Sequence, residues 1–212
     1  LVGRLLEALV PARLGVGFRW LLGSSWLTNL GDGIVLAAGP LLVASLTEDA
    51  RLVALGATLQ WLPPLLFGLL AGALSDRLDR RRLVIVVNLV RAGVLVLLAT
   101  AIVTGHVSIG IVLGALFLLG TSEVFADNTA STLVPMLVRR DDLAVANARI
   151  QAGFITVNQL AGPPIGAAMF AAASAVPFAA EAVLVVAGAV LVSRLRLPPH
   201  GRDRAEAHIG QD

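Results

Sequence analysis

A knot of charge sits in this chain between two apolar stretches, each long enough to cross a bilayer, and that arrangement leaves few folds open. The knot is Gly72-Ala-Leu-Ser-Asp76-Arg77-Leu-Asp79-Arg80-Arg81-Arg82. Residues 52–74 before it and 83–104 after it are predominantly apolar. An α-helix needs about 20 such residues to span the hydrocarbon core, and a helix satisfies its own backbone there. The knot therefore reads as a short loop between two membrane-spanning helices. Four arginines place it on the cytoplasmic side, because Lys and Arg close to span ends are retained there. Composition agrees: 57% of the 212 residues are hydrophobic and only 14% charged, against about 25% charged in soluble domains.

Extending the same rule along the chain gives an all-α membrane protein with six transmembrane helices and both ends inside. Residues 1–19 are expected to be a cytoplasmic N-terminal segment, with Arg4, Arg13 and Arg19 against Glu7, and with Pro11 and Gly15 as breakers. Leu5, Leu6, Leu9 and Val10 suit a short surface helix there. The bundle covers 20–196, with spans at 20–46, 52–74, 83–104, from 109 to near Pro135, 149–173 and 176–192. Residues 197–212 read as a cytoplasmic tail or the start of a linker. The first apolar stretch lacks a small-residue cleavage site, so no segment reads as a cleavable signal. All sixteen basic residues are Arg, and thirteen fall in the cytoplasmic segments. Arg51 alone is external, while Arg91 and Arg149 lie in or at the edge of spans. One span missed or added would invert every loop beyond it.

Several function classes drop out. There is no cysteine, hence no disulfide framework and no thiolate metal site. No H-E-x-x-H, Walker loop or nucleophile elbow occurs, so neither an enzyme nor a bound cofactor is expected. The arginines flank membrane spans and do not indicate a nucleic-acid partner.

Chemistry is expected from ionisable groups inside the spans, where charge is expensive and rarely idle. Asp32 lies between Gly31 and Gly33, about twelve residues and roughly 18 Å from Trp20, near the middle of a ~30 Å core. Such a carboxylate is a candidate for proton coupling or cation recognition; a structural hydrogen bond to a neighbouring helix is the alternative. Glu123 and Asp127 are spaced i, i+4 and share a helix face. Two carboxylates a turn apart in a low dielectric do not both stay ionised without a partner. Asp127 is closer to the cytoplasmic end of its span and is expected to be solvated or paired with arginine. Arg91 requires a counter-ion or an aqueous cavity, unless it reaches back to the cytoplasmic interface. In the second span Pro63-Pro64 marks a kink, and in the fifth Gly153, Gly162, Pro163 and Gly166 mark close packing and a proline hinge.

The order Gly72, Asp76, Arg77, Arg80, Arg81 resembles the G-x-x-x-D-R-x-G-R-R loop between the second and third helices of the major facilitator superfamily of transporters, and it falls at the matching place in the span order. Asp79 stands where the commoner pattern has Gly, a variant associated with the exporter branch that includes macrolide and siderophore (enterobactin-type) efflux proteins. Ala161-Gly162-Pro163-Pro164-Ile165-Gly166 resembles the fifth-helix G-P-x-x-G motif of antiporters. Pro135-Met-Leu-Val138 and Leu143-Ala-Val-Ala-Asn147-Ala resemble further exporter elements, so the likeness covers about 20–196. Many relatives carry an arginine in the fourth span where this chain has Thr121-Ser122-Glu123, which puts a proton relay borrowed from them in doubt. The resemblance implies the N-terminal half of a twelve-helix fold. It also implies a missing C-terminal six-helix half as partner and secondary active efflux of a small amphipathic molecule from the cell membrane. A proton gradient would drive that efflux without any cofactor. Siderophore-like or lipid-like substrates, and a non-transporting scaffold of the same fold, are the alternatives.

Overall fold

The computed structural model describes residues 12–195, apart from the side chains of Ala12 and Asp76. The expected surface helix before residue 12 and the tail after residue 195 lie outside the described residues. A short 3-10 turn, Ala12–Leu14, leads into α1 (Gly15–Leu46), then α2 (Ala50–Arg77), α3 (Arg80–Val103) and α4 (Ile109–Leu137). A second 3-10 turn, Arg140–Asp142, precedes α5 (Leu143–Gly153), a π-helical segment (Phe154–Ala161), α6 (Gly162–Ala172) and α7 (Val176–Ser193). No strand occurs among the described residues. Five of these helices, α1 to α4 and α7, are long and apolar enough to cross a membrane. The fifth expected span is there as a helical passage, divided between α5, the π-helical segment and α6.

Local chemistry sets the helix ends, and most lie a few residues beyond the apolar runs. Asp49 caps α2 by accepting from the Arg51 amide at 2.8 Å. Asp79 caps α3 by accepting from the Arg82 amide at 3.0 Å. Each carboxylate satisfies a donor that the first helical turn leaves free. The charged knot is thus mostly helix, with only Leu78 and Asp79 between α2 and α3. At the far end of α3, Gly105 adopts φ +72°. That left-handed turn lets the His106 amide reach the Ala101 carbonyl at 2.9 Å and the Gly105 amide reach Ile102 at 3.2 Å, a Schellman closure. Gly15, at φ +81°, redirects the chain into α1, inside the segment expected to precede the first span. Pro135 lies within the last turn of α4 and does not mark a loop.

Burial divides the helices by role. In the most apolar stretch of α1 61% of residues are buried, against 11% in α2, so α1 forms the centre and α2 turns its side chains outward. α1 packs against α7, α6 and the π-helical segment, α2 packs on α4, and α3 packs on both α7 and α4. Two apolar clusters fill the interior. One gathers Val35, Leu42, Leu95, Leu116, Phe178 and Val185; the other gathers Phe18, Leu22, Val84, Leu133, Val134 and Val192. Between these clusters, α1 carries buried Ser24, Thr28, Asn29 and Asp32, and α3 carries buried Asn88 and Arg91. A polar layer therefore crosses the bundle midway along α1 and α3.

Small residues let α1 approach its neighbours. A methyl group at Gly166 would fall 2.1 Å from the Ile34 carbonyl oxygen, and one at Gly162 would fall 2.5 Å from the Gly33 Cα. α6 thus packs backbone to backbone on α1, and the glycines of the fifth-span motif act through this contact.

The proline hinge takes a form the sequence does not announce. Pro163 and Pro164 occupy the first turn of α6, and the departure from α geometry lies before them, in the π-helical segment. Proline at those positions removes the donors that residues 159 and 160 would meet in an α-helix. The backbone widens instead, and the Gly162 amide reaches five residues back to the Val157 carbonyl.

Candidate functional site: an ion cluster beside an acid-lined cavity

Three helices bring charge to one point in the polar layer. Arg91 of α3 is 1% exposed, and its Nη2 donates both to Asp32 Oδ1 of α1 and, at 3.0 Å, to Glu181 Oε1 of α7. Arg91 therefore does not extend to the cytoplasmic interface; its counter-ions lie within the bundle. Asp32 correspondingly belongs to an ion pair. Close helix approach makes the cluster possible, because a methyl at Gly31 would meet Glu181 Cγ at 2.8 Å. Ser24 Oγ binds the Gly188 carbonyl at 2.9 Å and fixes α7 against α1 below the cluster.

The cluster is not closed. Arg91 Nε and Glu181 Oε2 are buried and have no hydrogen-bond partner among the described residues. Two carboxylates share one guanidinium, so a negative charge remains if both are ionised. A void of about 20 Å³, lined by Asp32, Arg91, Glu181, Gln60 and Glu123 among others, adjoins them. That is room for about one water molecule.

Beyond the void lies a cavity of about 270 Å³ whose walls include Asp32, Gln60, Trp61, Glu123, Asp127 and Asn158, with Phe154 beside them. The structure thus brings Asp32, Glu123 and Asp127 to one space. Asp127 is solvent-exposed and stands in the cavity wall, and no arginine pairs with it among the described residues. Pro63 and Pro64 contribute indirectly. They leave the carbonyls of residues 59 and 60 without α-helical donors, and those oxygens would lie 3.5 and 3.2 Å from a methyl placed at Gly120 of α4.

The knot residues lie at one end of the bundle. Arg80 Nε donates to the Ser75 carbonyl of α2 at 3.3 Å, and its Nη1 approaches Met136 Sδ of α4 at 3.3 Å. Arg81 donates to the Ser193 carbonyl, in the last turn of α7. A cation suits a helix C-terminus, where carbonyls are left over and the dipole is negative. Arg77 is exposed, and Asp76 occupies the last turn of α2. Gly72 meets nothing that would exclude a methyl group.

Glu181, Gln60 and Asn158 are the site residues that sequence reasoning passed over. Glu181 carried a usable signal, since it is the one ionisable residue in the apolar run 176–193 and meets the criterion that singled out Asp32. Gln60 and Asn158 are polar positions whose place depends on helix rotation.

An all-helical bundle with five helices long and apolar enough to cross a membrane fits a multi-pass membrane protein, and the family match makes it a transporter of major facilitator type. The chain belongs to the transmembrane secretion effector family, whose model matches residues 7–205. No curated protein and no solved structure matches it.

Proposed function

We propose that the chain forms the N-terminal half of a secondary active exporter that moves a small amphipathic molecule out of the cytoplasm in exchange for protons. The carrying observation is Arg91 shared between Asp32 and Glu181 beside a cavity that adds Glu123 and Asp127. One guanidinium faces four carboxylates there. The surplus negative charge suits a site that alternates between protons and substrate, because each neutralises the same groups. A C-terminal six-helix half completes the path, and one half rocks against the other in alternating access. The outward apolar side chains of α2, Leu65, Leu69 and Leu70 among them, are then covered by lipid or by that second half.

Arginine placement supports an orientation with both ends inside the cell membrane. Single cysteines at Glu48, His106 and Arg80 test it, since the chain has none of its own. The first two should label from outside; external labelling at Arg80→Cys would reverse the orientation. Transport itself is tested by loading the full-length protein into proteoliposomes and imposing a pH gradient. Uphill movement of an amphipathic solute that collapses with the gradient is expected. Movement unaffected by collapse would replace proton exchange with another driving ion.

A further inference from the structure

We infer that the acid-lined cavity binds a compact organic amine in its protonated form, and that Asn158, carried on the π-helical segment, orients the ligand by accepting its N–H. This rests on the exporter reading and names its substrate class.

Sign comes first. Among the described residues, the cavity wall offers Asp32, Glu123 and Asp127 and no basic side chain. Arg91 is set back in the adjoining void and is already engaged by Asp32 and Glu181. An anionic ligand would meet like charge with no cation to offset it. A bare metal ion is also a poor fit, because no three acidic or histidine groups among the described residues are placed to hold one. The cavity is far larger than an ion and lies just below the ~300–1,000 Å³ of sites for drug-sized ligands. Trp61 and Phe154 give it aromatic wall, which favours a cation over a neutral molecule of the same shape.

Asn158 supplies a separate pointer. It is 6% exposed, lines the cavity, and its amide makes no hydrogen bond among the described residues. A polar side chain that lines a cavity and makes no hydrogen bond within the fold is available to bond a ligand or a water there. Asn158 is also the one buried residue of the π-helical segment, a geometry frequent at functional sites. Its backbone is pinned, because a methyl at Gly33 would fall 2.3 Å from the Asn158 carbonyl oxygen. The fold therefore holds a residue of fixed backbone, its amide unbonded within the fold, at the wall of an acidic space. An amide oxygen accepts a hydrogen bond, so it distinguishes an ammonium that carries N–H from a quaternary one that does not.

Three probes of matched shape test this by equilibrium binding to the full-length protein in nanodiscs: protonated N,N-dimethylbenzylamine, benzyltrimethylammonium and uncharged neopentylbenzene. The amine is expected to bind about tenfold tighter than the quaternary ion, the size of effect a hydrogen bond to a charged group produces. Asn158→Leu should erase that preference by weakening the amine alone. Glu123→Gln should weaken both cations about equally. If Asn158→Leu unfolds, Asn158→Ala is used with thermal unfolding as the check on folding. Neopentylbenzene binding as tightly as the amine would overturn the inference. So would a preference for the amine that survives both Asn158 variants. Export of some other solute with no amine binding removes the amine site and leaves the exporter standing; amine binding without export does the reverse.

Discussion

Arg91 and Glu181 meet at 3.0 Å across the α3–α7 interface through the same Nη2 that holds Asp32 of α1. A single nitrogen thus ties three membrane helices together at mid-depth. Its removal would leave two buried carboxylates facing each other, and unpaired charge in a low dielectric is costly. Arg91→Leu should therefore destabilise the protein by about 3–5 kcal/mol, the usual cost of breaking a buried ion pair from one side. Replacing all three charges, as Arg91→Met with Asp32→Asn and Glu181→Gln, should restore much of that. Thermal unfolding in detergent measures both. A single Arg91→Leu variant that melts like the parent would show that the cluster contributes little to holding the helices.

Close packing of α1 on α6 makes a sharper structural prediction. Methyl groups at Gly33, Gly162 and Gly166 would each run into backbone atoms, which cannot rotate away. Gly166→Ala should cost about 1–3 kcal/mol from overpacking. Gly68→Ala and Gly72→Ala meet open space and should be neutral or stabilising by up to about 1 kcal/mol through helix propensity. Equal melting temperatures for Gly166→Ala and Gly72→Ala would contradict this packing.

At the arginine-rich end, Arg81 links the start of α3 to the last turn of α7. That contact, with Asp76 and Arg80 nearby in sequence, suits a conformational latch remote from the ligand. Asp76→Asn and Arg81→Ala should each slow transport severalfold while leaving equilibrium substrate affinity largely unchanged. Lost affinity with normal turnover would move these residues into the binding site.

What the sequence made legible was the set of features that depend on runs and counts. Apolar runs located the helical passages, and the isolation of Asp32 and Arg91 within them marked two of the three cluster members. The helix ends were less legible because capping residues such as Asp79 sit inside what reads as loop. Pro163 and Pro164 announced a disturbance, yet missing donors alone do not say that the backbone widens into a π-helical segment just ahead of them. The pairing of Arg91 with Asp32 and Glu181 was not legible either, since it depends on how three helices are rotated against one another. Glu181 is different: its isolation in an apolar run was visible, and it was passed over. That Asp127 lines a cavity was not legible, because distance from a span end does not determine which way a side chain is turned.

In the proposed exporter, Asp32 and Glu181, sharing Arg91, couple transport to protons. That coupling is tested most directly by substrate efflux from proteoliposomes containing the full-length protein, measured across a series of imposed pH gradients. Asp32→Asn and Glu181→Gln should each abolish the pH-dependent component although the protein still inserts, whereas Asp127→Asn should be milder. Full pH-dependent efflux in both Asp32→Asn and Glu181→Gln would contradict the account and pass the coupling role to Glu123.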